Sequence, residues 1–156
     1  MPNHVYNILS VSGPESDVRA FHDAINIDSD DNSGIIRAFL PFPTELEGEP
    51  ITRQDGTVIG RAFSDEGYNW CLRNWGTKWG DYDTEILSEP SKISSSDWEV
   101  VYSYSTAWSP ANPAIISIAK RFPNLTFTVS WEEGGSQSCG ALVVKDEASF
   151  ANQLHL

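Results

Sequence analysis

The sequence predicts an α+β domain built on a mostly antiparallel sheet, with helices packed on one face. Three observations predict it. Several runs alternate apolar and polar residues with a period of two, as strands do when they bury only one side. Between them lie stretches whose apolar residues recur at three- and four-residue spacing and begin with capping residues. Tight turn signals join neighbouring strands, which favours antiparallel pairing.

In chain order, residues 5–11 read as a strand, with Val5, Asn7, Leu9 and Val11 on one face and Tyr6, Ile8 and Ser10 on the other. Ser12 and Glu15 have the spacing of a capping box, and Pro14 suits a first helical turn. Val18, Phe21 and Ile25 then fall on one face, which predicts an amphipathic helix over 14–26. Residues 28–34 form a polar loop that begins like a calcium loop. Its sixth position is Ser33 rather than Gly, and its twelfth is Phe39 where a bidentate Glu is needed, so an EF-hand is excluded.

Residues 35–40 read as a second strand, closed by Pro41 and Pro43. A variable insertion follows around 44–63, with a hairpin turn at Arg53–Gln54–Asp55–Gly56–Thr57. Ser64 caps the next helix, and Asp65 and Glu66 suit its first turn. Tyr68, Cys71, Leu72 and Trp75 recur as one stripe, and Gly76 supplies the stop. Residues 88–96 are Pro/Ser-rich and read as a connection.

The strongest strand comes next, with Trp98, Val100, Tyr102, Tyr104 and Thr106 on one face. A helix starting at Ser109–Pro110 or Asn112–Pro113 would bury Ile115, Ile118, Ala119 and Phe122, and Pro123 ends it. Leu125, Phe127, Val129 and Trp131 mark another half-buried strand. Glu132–Glu133–Gly134–Gly135 turns the chain, and residues 139–145 return. A short helix is expected from Asp146.

The 156 residues fit a single domain spanning 1–156, and the 40% hydrophobic fraction suits a folded chain. The formal net charge is −12, and the Lys and Arg residues do not cluster, so direct nucleic-acid binding is not expected. Acidity suits solubility or a basic protein partner. No basic leader and no apolar run of about 18 residues stands in the sequence, so neither export nor a membrane span is expected. Cys71 and Cys139 form no CxxC pair and suit a reducing cytoplasm.

No nucleophile elbow, phosphate-binding loop or dinucleotide fingerprint occurs. His4, His22 and His155 lack metal-ligand spacing, and neither cysteine lies in a nucleophile signature. The expectation is a protein that is not an enzyme and needs no metal or cofactor. Cys71, on an apolar stripe, reads as a small buried hydrophobe.

Four strings are distinctive: Asn7–Ile8–Leu9–Ser10–Val11–Ser12–Gly13, Leu40–Pro41–Phe42–Pro43, Asn74–Trp75–Gly76–Thr77–Lys78–Trp79 and Thr106–Ala107–Trp108–Ser109–Pro110. In this order the chain resembles the YubB-like family of bacteriophage and plasmid proteins, which carries a ferredoxin-like domain of the phage "Api" type. Phe122–Pro123–Asn124–Leu125–Thr126–Phe127, Glu132–Glu133–Gly134 and Gly140 continue the match. One departure is Ser136–Gln137–Ser138–Cys139, where the family is usually aromatic and apolar. The resemblance implies a ferredoxin-like α+β fold, a mobile-element origin and a place in the cytoplasm of a bacterial host. It implies no reaction.

Function therefore rests on binding. The leading expectation is a non-catalytic accessory protein that binds and inhibits a host protein. Its target would be a defence factor (anti-CRISPR or anti-restriction type) or a nucleic-acid-handling factor. Its acidic footprint would include Glu132 and Glu133 at a hairpin tip, with Asp81 and Asp83 past the aromatic string. The alternative is a small-ligand or nucleotide-binding module whose groove is lined by Asn74, Thr77, Lys78, Trp79 and Trp108. Trp75, on the apolar stripe of its helix, belongs to the core rather than to that groove. Trp75→Ala is expected to cost about 3–5 kcal/mol, read as a lowered melting temperature of the purified variant.

Overall fold

The alternating run near the N-terminus becomes the central strand of the protein. In the computed structural model, which describes residues 3–27, 34–146 and 148–155, β1 spans His4–Pro14. Val5, Asn7, Leu9 and Val11 are fully buried, as the period of two requires. β1 pairs on one side with β5 (Asp97–Ala107) and on the other with β6 (Thr126–Glu133), both antiparallel. With β4 (Tyr82–Lys92), β7 (Ser138–Lys145) and β8 (Ala148–His155) they form one six-stranded antiparallel sheet ordered β4-β5-β1-β6-β7-β8.

The helices are α1 (Glu15–Asp23), α2 (Ile35–Phe39), α3 (Asp65–Asn74) and α4 (Asn112–Ala119). Strands β4, β5, β1 and β6 with α1 and α4 make two interleaved split β-α-β units, the ferredoxin-like arrangement. β7 and β8 extend the sheet beyond them. A main core of Leu9, Phe21, Ile35, Tyr102, Ile118 and Phe127 lies between sheet and helices. A second cluster of Ile36, Cys71, Trp75, Ala111 and Ala114 lies beside it, flanked by Phe42, Phe63 and Trp70.

The insertion at 44–63 folds as a ribbon of its own. A short 3-10 turn, Thr44–Leu46, leads into β2 (Glu47–Thr52) and β3 (Val58–Phe63), which pair only with each other. Its turn lies at the expected residues, with the Arg53 amide donating to the Thr57 carbonyl at 2.9 Å. The Ser64 cap also forms: its Oγ accepts from the Gly67 amide at 3.0 Å.

Several expectations are corrected. Residues 35–40 are not a strand. The Asp81 carboxylate accepts the amides of Ile35 at 2.7 Å and Ile36 at 2.9 Å, turning an apolar run into the first turn of α2. A carboxylate from a residue 46 positions away supplies the cap, so no local pattern signals it.

Most of the Pro/Ser connection at 88–96 belongs to β4, which tolerates Pro90 because it is an edge strand with shifted register. The segment after Asp146 is β8, not a helix, in unbroken register with β7. The Ser12 capping box does not form: Pro14 precedes α1 and no side chain caps it. Of the stripe expected on α3, Cys71 and Trp75, the residue that caps the helix C-terminus, are buried, whereas Tyr68 and Leu72 are exposed. The loop excluded as an EF-hand, 28–33, lies outside the described residues.

Asp81 is itself 5% exposed, and burial pushes its carboxyl above the usual carboxylate range. The Thr84 hydroxyl and the two α2 amides pull it the other way. Asp81→Ala leaves two buried amides without an acceptor, an expected cost of about 1–3 kcal/mol for each. Asp81→Asn, which keeps one acceptor, should lose less. Thermal unfolding of the two variants beside the wild type checks the order.

Candidate functional site

One face of the sheet carries the helices; the other is open. The register places Tyr6, Ile8, Ser130, Glu132, Cys139, Ala141, Phe150, Asn152 and Leu154 on the open face. Tyr6 is 45% exposed and Ile8 37%, so the solvated face of this central strand carries large apolar side chains where an antiparallel sheet usually places polar ones. Tyr6, Ile8, Glu132, Cys139, Ala141 and Leu154 line a concavity of about 470 Å³ on this face. Its walls are chiefly apolar, with Glu132 as the charged residue of the six. Glu85, paired with Ser103 on the same face, is exposed as well.

Gly140 shapes the neighbouring part of the sheet. A Cβ there would stand 2.6 Å from the Trp131 ring and 2.5 Å from the Asn152 carbonyl, so only glycine lets the indole lie against β7. The family-like aromatic residues expected before Gly140 are replaced by a polar turn with its own structure. Glu133 accepts from the Gly135 amide at 2.7 Å, the Ser136 amide at 2.8 Å and the Ser136 hydroxyl.

Glu133 therefore corrects an expectation. It is 5% exposed and folded into the turn, and these hydrogen bonds, the Ser136 hydroxyl first, hold its carboxyl below the usual range against the opposing effect of burial. Glu132 is exposed, as expected for a hairpin acid. Asp83 is also exposed, with φ at +51°, whereas Asp81 is consumed by the α2 cap and cannot face a partner.

The Trp-rich strings meet, but as a structural clasp. The Thr77 hydroxyl donates to the Ala107 carbonyl at 2.9 Å and accepts the Ala107 amide at 3.2 Å, with Thr77 fully buried. Ser109 Oγ donates to the Gly76 carbonyl at 2.5 Å. Gly76 has φ of +74°, and a Cβ on it would stand 2.3 Å from Pro113, so this close approach needs glycine. Trp75 is buried, and its indole N–H donates to the Leu40 carbonyl at 2.9 Å.

Lys78 lies 5.0 Å from the Trp79 ring centre and 5.9 Å from that of Tyr68. Asn74 donates to the Trp70 carbonyl at 2.9 Å on the surface of α3. Trp108 is 55% exposed, held at φ +72° with its amide bonded to the Asn3 carbonyl. None of Asn74, Thr77, Lys78, Trp79 or Trp108 lines the concavity on the open face.

Cys71 is buried, which pushes its thiol up to about 11 despite the opposing charge of Arg37; a nucleophile needs the reverse. Among the described residues, no group of three His, Cys, Asp or Glu side chains could hold a metal ion. No helix among them is long and apolar enough to cross a membrane.

The open face, missed by sequence reasoning, was signalled by Tyr6 and Ile8, two apolar residues at the polar positions of an alternating strand. A family model described as the ferredoxin-like domain in Api92-like protein matches residues 74–153, half of the chain. The match covers both Trp-rich strings, β4 to β7 and most of β8. No curated protein and no solved structure matches the chain.

Because Glu133 titrates below its ordinary value of 4.5, its contribution to stability is present above that value and lost as pH falls through the lower folded-state value. Glu133→Gln should flatten this acid-side loss. Melting temperatures of the two proteins across the acid range are expected to converge as pH falls.

Proposed function

Since the chain belongs to the family of the ferredoxin-like domain in Api92-like protein, we propose that it is a non-catalytic binding module whose partner is a protein seated on the open face of the sheet. The observation that carries this reading is the uncovered apolar concavity around Tyr6, Ile8, Ala141 and Leu154. A soluble chain has no folding reason to leave such a strip at the middle of its sheet facing water, and strips of this kind mark contact surfaces.

Charge narrows the partner. The chain carries −12, and Glu85 and Glu132 stand on the open face, which fits a partner whose apolar patch is bordered by Lys and Arg. Basic protein surfaces of this sort are common on factors that handle nucleic acid. The resemblance to YubB-like phage and plasmid proteins supports the finer reading. The chain then acts as an accessory protein of a mobile element, in the cytoplasm of a bacterial host, and inhibits a host defence or nucleic-acid-handling factor. The groove alternative loses support because Thr77 is spent on the clasp and Lys78 faces aromatic rings.

The test uses the partner captured from host lysate and measures binding kinetics at two salt concentrations. Glu132→Lys should slow association, with the effect shrinking as salt rises, because exposed charges act through steering. Ile8→Lys should speed dissociation at an unchanged melting temperature. Kinetics indifferent to both substitutions would move the binding surface off this face.

A further inference from the structure

The two edges of the sheet are built differently. β4 is protected against pairing: its register shifts in three places, and it carries Asp83, Glu85, Glu89, Pro90 and Lys92. β8 has none of these devices. It runs in unbroken register with β7 over all eight residues, and Ala148–Ser149–Phe150–Ala151–Asn152–Gln153–Leu154–His155 contains no Pro, Asp, Glu, Lys or Arg. Every residue of β8 is exposed, and among the described residues no strand pairs with its outer edge. Phe150 is 74% exposed and Leu154 56%.

The strand is also complementary to itself. A two-fold axis perpendicular to the sheet through Asn152 keeps the open faces of two copies on the same side. It sets Phe150 of each copy opposite Leu154 of the other, an aromatic–aliphatic cross-strand pair made twice. Asn152 then faces Asn152, and on the opposite side Ala151 meets Gln153 and Ser149 meets His155. No like-charge pair arises. On a chain of net charge −12, an uncharged edge lets two copies meet without placing acids against each other.

We propose that β8 pairs antiparallel with β8 of a second copy, joining two six-stranded sheets into one continuous sheet in a homodimer. The contact is a single strand pair with two apolar clusters, small beside permanent interfaces, so the dimer exchanges with monomer on dilution. Asn152 and Leu154 also line the concavity on the open face, so pairing sets two concavities side by side across the axis.

Sedimentation of the wild type over a dilution series is the experiment. The expected result is a mass rising from one 17.3 kDa chain towards two as concentration increases. Phe150→Lys with Leu154→Lys should hold the mass at one chain with an unchanged melting temperature, since both side chains are exposed. Mixing that variant with Phe150→Glu/Leu154→Glu should restore the two-chain mass, which a misfolded protein could not do. Leu87→Lys on the opposite edge should leave the dimer intact. A wild type that stays at one chain throughout, a Lys variant that still dimerises, a mixture that stays monomeric, or a dimer lost through Leu87→Lys would each overturn the proposal.

Discussion

The Asp81 carboxylate is the point on which the packing of this protein turns. It follows the Trp-rich string at the start of β4 and reaches across to the first turn of α2, where it accepts two backbone amides. α2 is only five residues long and has no side-chain cap of its own, so an isolated helix of this length would not persist. Once capped, it delivers Ile35 and Phe39 to the main core and Ile36 to the second cluster. The two cores are thereby tied through one short element and one buried acid. The arrangement costs desolvation, seen in the raised titration of Asp81. Three hydrogen bonds to the carboxylate offset that cost.

The same region explains why the Trp-rich strings are so specific. Trp75 fills the second cluster, Gly76 admits Pro113, and Thr77 closes both hydrogen bonds of Ala107 at the end of β5. Ser109 completes the clasp on the Gly76 carbonyl. Each residue in Trp75–Gly76–Thr77 has a separate steric or hydrogen-bonding task. The pattern that suggested a ligand groove is therefore largely the signature of a junction between α3, β5 and α4. Trp108 stands apart from it, exposed and in a backbone conformation that a bulky residue seldom adopts.

Periodicity made the sheet legible. Val5 to Val11, Val100 to Thr106 and Phe127 to Trp131 alternate cleanly because one side of each strand meets helices. What escaped sequence reasoning was decided by distant partners. Ile35–Phe39 is helical because of Asp81, and Glu133 is inaccessible because the Ser136 turn folds onto it. β4 and β8 escaped for a different reason. As edge strands they bury little, so neither shows the contrast between faces that marks β1. The candidate site was least visible of all, since its residues come from β1, β6, β7 and β8 and meet only once the register is set.

An open sheet face sits uneasily with a highly acidic surface unless the two act together. Apolar area supplies contact energy but draws proteins together without discrimination. Net charge keeps like chains apart and slows encounters with other acidic protein surfaces. A chain that combines them excludes most partners by repulsion and retains those that present basic residues around an apolar patch. Self-association is then confined to a surface free of charge, and β8 is such a surface. The one-sided sheet, the acidic composition and the unprotected edge are thus parts of a single arrangement. In the function proposed above the face selects by charge, and in the proposed dimer the edge lets two copies present that face together.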